Sequence, residues 1–305
     1  MPSRRRPGPT GQPLVRRSMG PGLRRDECFI FLTSVPLVKK EVKELAEHDI
    51  HRKAECIAAL FRERRQIDAL PVELMPADLD EAYTIRQIFE EMAIAGGRGA
   101  VAGYKIGLTT PIMQKLCGVD EPVYGAIFAG EVHHGRAGLD VRNYCRLGIE
   151  TEIAVRLGED LPQGGDRDRV AAAVESCMAA IELLEDLRHD YKRLSAAAMV
   201  AGNVWNAGVV LAPPVADWRR LDLSRLTARL TINGNEIGQG KGGDVMGNPL
   251  NALAWLADKR AAEGAPLRRG MIVMTGSMVP IQFPSRGDRA VVEVDGLGAA
   301  ELVLT

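Results

Sequence analysis

The stretch GIETEIAV, residues 148–155, sets two glutamates inside an apolar alternation. In an extended chain successive side chains point to opposite faces, so Ile149, Thr151, Ile153 and Val155 share one side while Glu150 and Glu152 share the other. The two carboxylates then leave the backbone roughly 6.5 to 7 Å apart, from about 3.3 Å of rise per residue. On a solvated face such a pair costs little and carries no message. On a buried face each carboxylate raises the pKa of the other, and a shared proton or a cation is the usual remedy. The strand alone leaves both readings open. Oxygen-only ligation of a hard cation such as Mg²⁺, with water and substrate oxygens in the remaining positions, would give the buried reading a purpose. A third carboxylate must then come from another element, and AAIELLED, residues 179–186, offers Glu182, Glu185 and Asp186.

The surrounding chain reads as β-rich. After residue 98 come AVAGYKIGL, YGAIFAGEV, the glutamate strand, RLTINGNEIGQG, MIVMTGS and AVVEVDGLGAAELVL. Asn233-Gly234 between alternating segments predicts a two-residue hairpin of type I′, which needs positive φ at both positions. Two helices are expected among these strands, one from about Asp168 to Leu187 and one over 248–264, with Asn248 as cap, Pro249 in the first turn and Gly264 at the stop. The order is no regular β-α-β alternation, which argues against a doubly wound parallel sheet and for an α+β fold with a mixed, rolled sheet. Two further helices precede it. One runs from about residue 41, with Ala54, Ile57, Ala58 and Phe61 at helical spacing; the other follows the Asp78–Glu81 capping box, with Leu79, Ala82, Ile85, Phe89 and Met92 as its apolar stripe.

Composition narrows the class. The 305 residues are 46% hydrophobic and 26% charged with a formal net charge of -1, so nothing favours nucleic acid or an acidic membrane over a small partner. Five scattered cysteines without a C-x-x-C pair suit a reducing cytoplasm rather than a disulfide framework or a structural zinc site. FIFLTSVPLV, the longest early apolar run, is about half the ~20 residues a membrane span requires, so no transmembrane helix is expected. The first 25 residues hold seven arginines, no acid and many Pro and Gly. A disordered arm or over-long gene start, a presequence and a basic tail compete there, and Pro and Gly oppose the amphipathic helix of a presequence.

Five stretches in one order resemble a known group: GYKIGLTTPIMQKLCGVDEPVYGAIFAG (103–130), GIETEIAVRLGEDLP (148–162), AIELLED (180–186), MGNPLNALAWLADKRAAEGAPLRRGMIVMTGS (246–277) and GDRAVVEVDGLGAAELVL (287–304). The group is the 2-keto-4-pentenoate hydratases, with the related 2-oxo-hexenedioate decarboxylases, within the fumarylacetoacetate hydrolase family, and the resemblance covers roughly residues 45–305. It implies a mixed β-roll of that family with an N-terminal helical segment. The division expected is 1–40 as a disordered extension, 41–98 as the helical segment and 99–305 as the catalytic domain. The resemblance also implies a Mg²⁺ (or Mn²⁺) site on Glu150, Glu152 and Glu182, an essential Lys105, and substrate contacts from Leu108, Asn203 and Thr275. The substrate would be a small 2-hydroxy-2,4-dienoate or its 2-oxo tautomer from aromatic-ring breakdown, hydrated to a 4-hydroxy-2-oxo acid in the cytoplasm by a homo-oligomer. Lys105 would move the proton or hold the substrate carboxylate, and proton work near neutral pH would require burial or cationic neighbours to lower its pKa.

Departures from the pattern keep other outcomes in play. Where the hydratases commonly read V-D-Q-P-D-F-G, with a second aspartate that assists water addition, this chain has Val123, as the decarboxylases do with an aliphatic residue. V-A-D-N-A-S is here VAGNVW, so Gly202 and Trp205 replace the aspartate and serine while Asn203 is retained; the bulk of Trp205 implies a reshaped pocket. A decarboxylase, a C–C hydrolase, or a silent subunit paired with a paralogous decarboxylase or hydratase are the alternatives. His133 and His134 are adjacent and so point apart in a strand, which opposes joint ligation of one metal. TGS at 275–277 reads as the end of a strand, and GQGKGGDVMG at 238–247, without the context of a phosphate loop, as a mobile lip near the site.

Overall fold

The computed structural model describes residues 36–66 and 69–305; of the extension expected over residues 1–40, residues 1–35, with Cys28, lie outside them, and residues 36–40 are helical. The chain divides at His48 into two units. The first is described from Pro36 as the opening turns of helix α1 (Pro36–Arg62), which begins earlier than the sequence predicts because proline is tolerated in a first helical turn. The second, Asp49–Thr305, carries the sheets.

The strands are β1 (Val101–Gly107), β2 (Val123–Phe128), β3 (Val132–His134), β4 (Arg136–Leu139), β5 (Leu147–Leu157), β6 (Val174–Glu185), β7 (Asn206–Leu211), β8 (Thr227–Ile232), β9 (Asn235–Lys241), β10 (Ile272–Gln282), β11 (Arg289–Val294) and β12 (Gly298–Leu304). Among the described residues they form a seven-stranded sheet in the order β2-β1-β10-β5-β6-β7-β3 and a five-stranded sheet in the order β4-β12-β11-β8-β9. Both mix parallel and antiparallel pairs, one of them curls into a half-barrel, and β11 and β12 pack against β6 between them. The α+β, mixed-roll expectation holds. Asn233 (φ 54°) and Gly234 (φ 81°) join β8 to β9 with the two positive φ values of a type I′ turn.

The helices behave as their caps dictate, with one correction. Helix α2 (Leu79–Ala93) starts at Asp78, whose side chain accepts the Glu81 N–H at 2.9 Å. Helix α3 (Pro111–Cys117) starts at Thr110, α5 (Ala196–Ala201) at Ser195 and α6 (Pro249–Ala262) at Asn248. The helix expected from Asp168 to Leu187 is wrong. Helix α4 ends after Arg167–Ala173, and β6 follows at once as a central strand. Its run SCMAAIELLE is buried on both faces between β5 and β7, so no polar alternation marks it, and a continuous apolar run looks alike as helix or strand. That exchange decides the site, because it sets Glu182 directly across from Glu150 in the ladder.

Two other expectations change. TGS lies inside β10, where the register with β5 slips between Met274 and Ser277. The glycine-rich stretch is not a lip: Gly238 and Gly240 belong to β9, and a Cβ on Gly240 would stand 1.9 Å from the Met278 carbonyl oxygen, so glycine there permits a close backbone approach. No helix among the described residues is long and apolar enough to cross a membrane.

Candidate metal centre

Strand pairing assembles the acidic cluster. Glu150 and Glu152 share one face of β5 as the alternation predicts, and the antiparallel register places Glu182 of β6 opposite Glu150. One ligand oxygen from each of the three lies within 4.8 Å of the others. Glu152 and Glu182 are fully buried and Glu150 half-buried, so the solvated-face reading of the opening stretch falls. Glu185 and Asp186, the rival third ligands, go elsewhere. Glu185 accepts the Cys145 N–H at 2.8 Å, and Asp186 accepts Arg146 Nε at 2.9 Å and the Tyr191 hydroxyl at 3.1 Å.

The donors around the cluster are few. Glu182 Oε1 takes Lys105 Nζ at 3.0 Å and Asn206 Nδ2 at 2.9 Å, and Glu152 Oε2 takes the Gly276 N–H at 2.8 Å. The register slip in β10 turns that amide out of the ladder toward the carboxylate, as bulges do beside functional sites. Glu152 Oε1 and Glu182 Oε2 are buried with no hydrogen-bond partner. Burial above all, then the charge of Glu182, pushes Glu150 up to about 7, with Lys105 opposing; burial and the charges of Glu182 and Glu150 raise Glu152 well above the ordinary carboxylate range. All-oxygen donors with unfilled lone pairs suit a hard divalent cation. Glu150, Glu152 and Glu182, each with one oxygen inside 4.8 Å of the others, would hold such an ion and leave its remaining positions to water and substrate oxygens.

Lys105 reverses its expected electrostatics. It is buried, which by itself lowers an ammonium pKa, yet Glu182, Glu150 and Glu152 together raise it above the ordinary lysine value. It sits on β1 beside Gly107, where a Cβ would stand 3.1 Å from Val204 Cγ1, 3.6 Å from Val123 Cγ2 and 3.9 Å from Lys105 Nζ. The ammonium is therefore flanked by an apolar wall, and Val204 rather than Trp205 supplies part of it. Trp205 stacks on His189 with centroids 4.5 Å apart, so its bulk is taken up by that ring and by Tyr191.

The remaining sequence candidates have structural partners. Asn203 spends both ends of its amide on Ala126 of β2, accepting the N–H at 2.7 Å and donating to the carbonyl at 2.9 Å. The Thr275 hydroxyl donates to the Ile153 carbonyl at 2.8 Å. Leu108 is buried with φ 56°, a left-handed conformation costly for a side chain of its size, and its carbonyl accepts Gln114 Nε2. His133 and His134 lie on β3, away from the cluster's donors. Asn206 and the Gly276 amide were missed. Neither belongs to a pattern of chemical side chains, and only the Gly in TGS hinted that a backbone group was needed there.

Comparison with known proteins agrees with this architecture. Residues 131–304 match the sequence model of the fumarylacetoacetate (FAA) hydrolase C-terminal domain. The chain is 33% identical over 254 residues to a 2-keto-4-pentenoate hydratase of Paraburkholderia phymatum, covering 81% of this chain and 95% of that protein. It is 29% identical over 230 residues to a 2-hydroxyhexa-2,4-dienoate hydratase of Comamonas testosteroni, covering 74% of this chain and 86% of that one. The fold is shared with 4-oxalocrotonate decarboxylase from Pseudomonas putida G7, solved with magnesium and adipate, at a TM-score of 0.79 and 23% identity over 85% of this chain and 98% of that chain. On the strength of the matched domain and of identity spread over four-fifths of its length, the chain belongs to the fumarylacetoacetate hydrolase family.

Proposed function

We propose that this protein is a divalent-metal-dependent lyase that hydrates 2-hydroxypenta-2,4-dienoate-type acids to 4-hydroxy-2-oxo acids, with Glu150, Glu152 and Glu182 as the ligands of Mg²⁺ or Mn²⁺. The observation that carries it is the buried three-carboxylate cluster with two oxygens unpartnered beside a buried ammonium. The hydratase names of its relatives support the substrate class. A bound divalent cation supplies concentrated positive charge for the carboxylate and 2-oxo oxygens of such a substrate. The chain's own groups do the rest. Lys105 Nζ, 3.0 Å from Glu182 Oε1, moves a proton on the substrate or hydrogen-bonds its carboxylate. Gly107 lets the chain pass close to it, and the buried Val123 and Val204 make an apolar wall on that side.

That same wall favours a second reading, decarboxylation of a 2-oxo-hexenedioate, in which no water need be directed. One assay separates them. Loss of dienol absorbance with formation of 4-hydroxy-2-oxopentanoate, abolished by EDTA and by Glu152→Ala and Lys105→Ala, is the result expected of the hydratase. Carbon dioxide release from a 2-oxo-hexenedioate by a protein that leaves the dienol untouched would replace that reading with the decarboxylase.

A further inference from the structure

The segment GNVWN, residues 202–206, is strained in a way its composition does not ask for. Asn203, Val204 and Trp205 have φ values of 56°, 49° and 60°, three successive left-handed residues with no glycine among them. Each such residue costs roughly 1–2 kcal/mol, and a β-branched valine is a particularly poor occupant. The turn is held by the paired Asn203–Ala126 hydrogen bonds at 2.7 and 2.9 Å and by the Trp205–His189 stack. Strain maintained at this cost marks a conformation that the surroundings over-determine, and the question is what it delivers.

It delivers Asn206. This residue is 5% exposed and starts β7 as the chain leaves the turn. Its Oδ1 accepts the Gly208 N–H at 3.2 Å, its carbonyl accepts Arg98 Nη2 at 3.4 Å, and its Nδ2 donates to Glu182 Oε1 at 2.9 Å. We infer that Asn206 is a positioning residue of the metal site: with Lys105 it occupies Glu182 Oε1 and so turns Glu182 Oε2 toward Glu150 and Glu152 as the ligand atom.

Geometry gives the reason. A carboxylate with two donors on one oxygen, Nζ at 3.0 Å and Nδ2 at 2.9 Å, cannot exchange its oxygens by rotation without breaking both bonds. Lysine alone does not enforce this, because an ammonium on a flexible stem can follow either oxygen. The amide of Asn206 is fixed at its other end by Gly208, which has φ 126° and must be glycine, since a Cβ there would stand 2.6 Å from the Glu131 carbonyl oxygen. Removing a partner that orients a ligating carboxylate typically weakens metal affinity 10- to 100-fold.

The inference rests on the proposed metal site, and calorimetric titration of the full chain with Mn²⁺ separates the two. Asn206→Ser puts a hydroxyl in place of the amide oxygen to accept the Gly208 N–H, but its shorter side chain cannot reach Glu182. The expected result is a Mn²⁺ dissociation constant raised 10- to 100-fold, with turnover that is depressed at limiting Mn²⁺ and recovers as Mn²⁺ is raised, which a merely structural defect would not do. Asn206→Thr, β-branched and suited to the start of a strand, serves if the serine variant does not fold. Wild type that binds Mn²⁺ beside a folded variant that binds it within twofold as tightly overturns the role of Asn206 alone. Wild type that binds no Mn²⁺ overturns the metal site and this inference together.

Discussion

Lys105 Nζ stands 3.0 Å from Glu182 Oε1 in the fully buried interior of the larger sheet, on the face that also carries Glu150 and Glu152. One ammonium against three carboxylates would leave negative charge in excess if all three ionised, and burial makes that costly, so without a cation the cluster holds protons instead. The fold therefore carries a deficit of cations at this one place, and several measurable consequences follow from the imbalance.

Glu152→Gln removes an ionisable ligand while keeping the side chain's shape and an oxygen to accept the Gly276 N–H. In EDTA the variant is expected to be at least as stable as wild type near pH 8. Wild type should gain about 2.7 kcal/mol when Mg²⁺ stands at 100 times its dissociation constant, and the variant nothing at the same concentration. Thermal melts with and without Mg²⁺ check this; equal Mg²⁺ stabilisation of the two proteins would remove Glu152 from the ligand set.

Stability without metal should fall as pH rises. Burial, against two backbone N–H bonds, pushes Glu185 up to about 7, and Glu150 also lies at about 7, from an ordinary value of 4.5. Between those values the folded state holds protons that the unfolded chain has released, so the stabilisation is complete below 4.5 and lost as pH passes through 7. For Glu185, 8% exposed, the loss is on the order of 3 kcal/mol. Urea denaturation in EDTA from pH 5 to 8.5 measures the slope, and Glu185→Gln should flatten its share. A stability that climbs with pH over this range would contradict the assignment.

Asp186 anchors Arg146, the Tyr191 hydroxyl and the His189 N–H from a fully buried position. Asp186→Ala leaves the Tyr191 hydroxyl and the His189 N–H without their acceptor and the part-exposed Arg146 without its counter-ion, and is expected to cost about 1–3 kcal/mol. Calorimetry should show this loss together with unchanged Mg²⁺ affinity, because Asp186 is committed to Arg146 rather than to the cluster.

Gly276 has φ 127°, and a Cβ there would stand 2.6 Å from Thr109 Cγ2. Gly276→Ala is expected to lose about 1–3 kcal/mol to backbone strain and to misdirect the amide that holds Glu152. Mg²⁺ affinity should drop with stability, in contrast to Asp186→Ala, and preserved affinity in a folded Gly276→Ala protein would show that the amide does not orient the carboxylate.

Much of the fold was legible where a local rule has one physical solution. Asn233-Gly234 could only be a tight hairpin, because two adjacent positive φ values suit few other residues, and Asp78 and Asn248 announced helix starts because orphan N–H groups there need an acceptor. The 168–187 region misled because a strand buried on both faces loses the period that distinguishes it from a helix.

For the site, the sequence by itself determined that Glu150 and Glu152 share a face, since the pleat alternates with period two whatever surrounds it. Only the tertiary structure decided that the face is buried, that the register sets Glu182 rather than Glu185 or Asp186 against the pair, and that Asn203 and Thr275 serve the backbone while Asn206 and a glycine amide serve the carboxylates. Burial and register are properties of the neighbours a strand acquires, and those neighbours come from segments far apart in the chain that no local pattern connects.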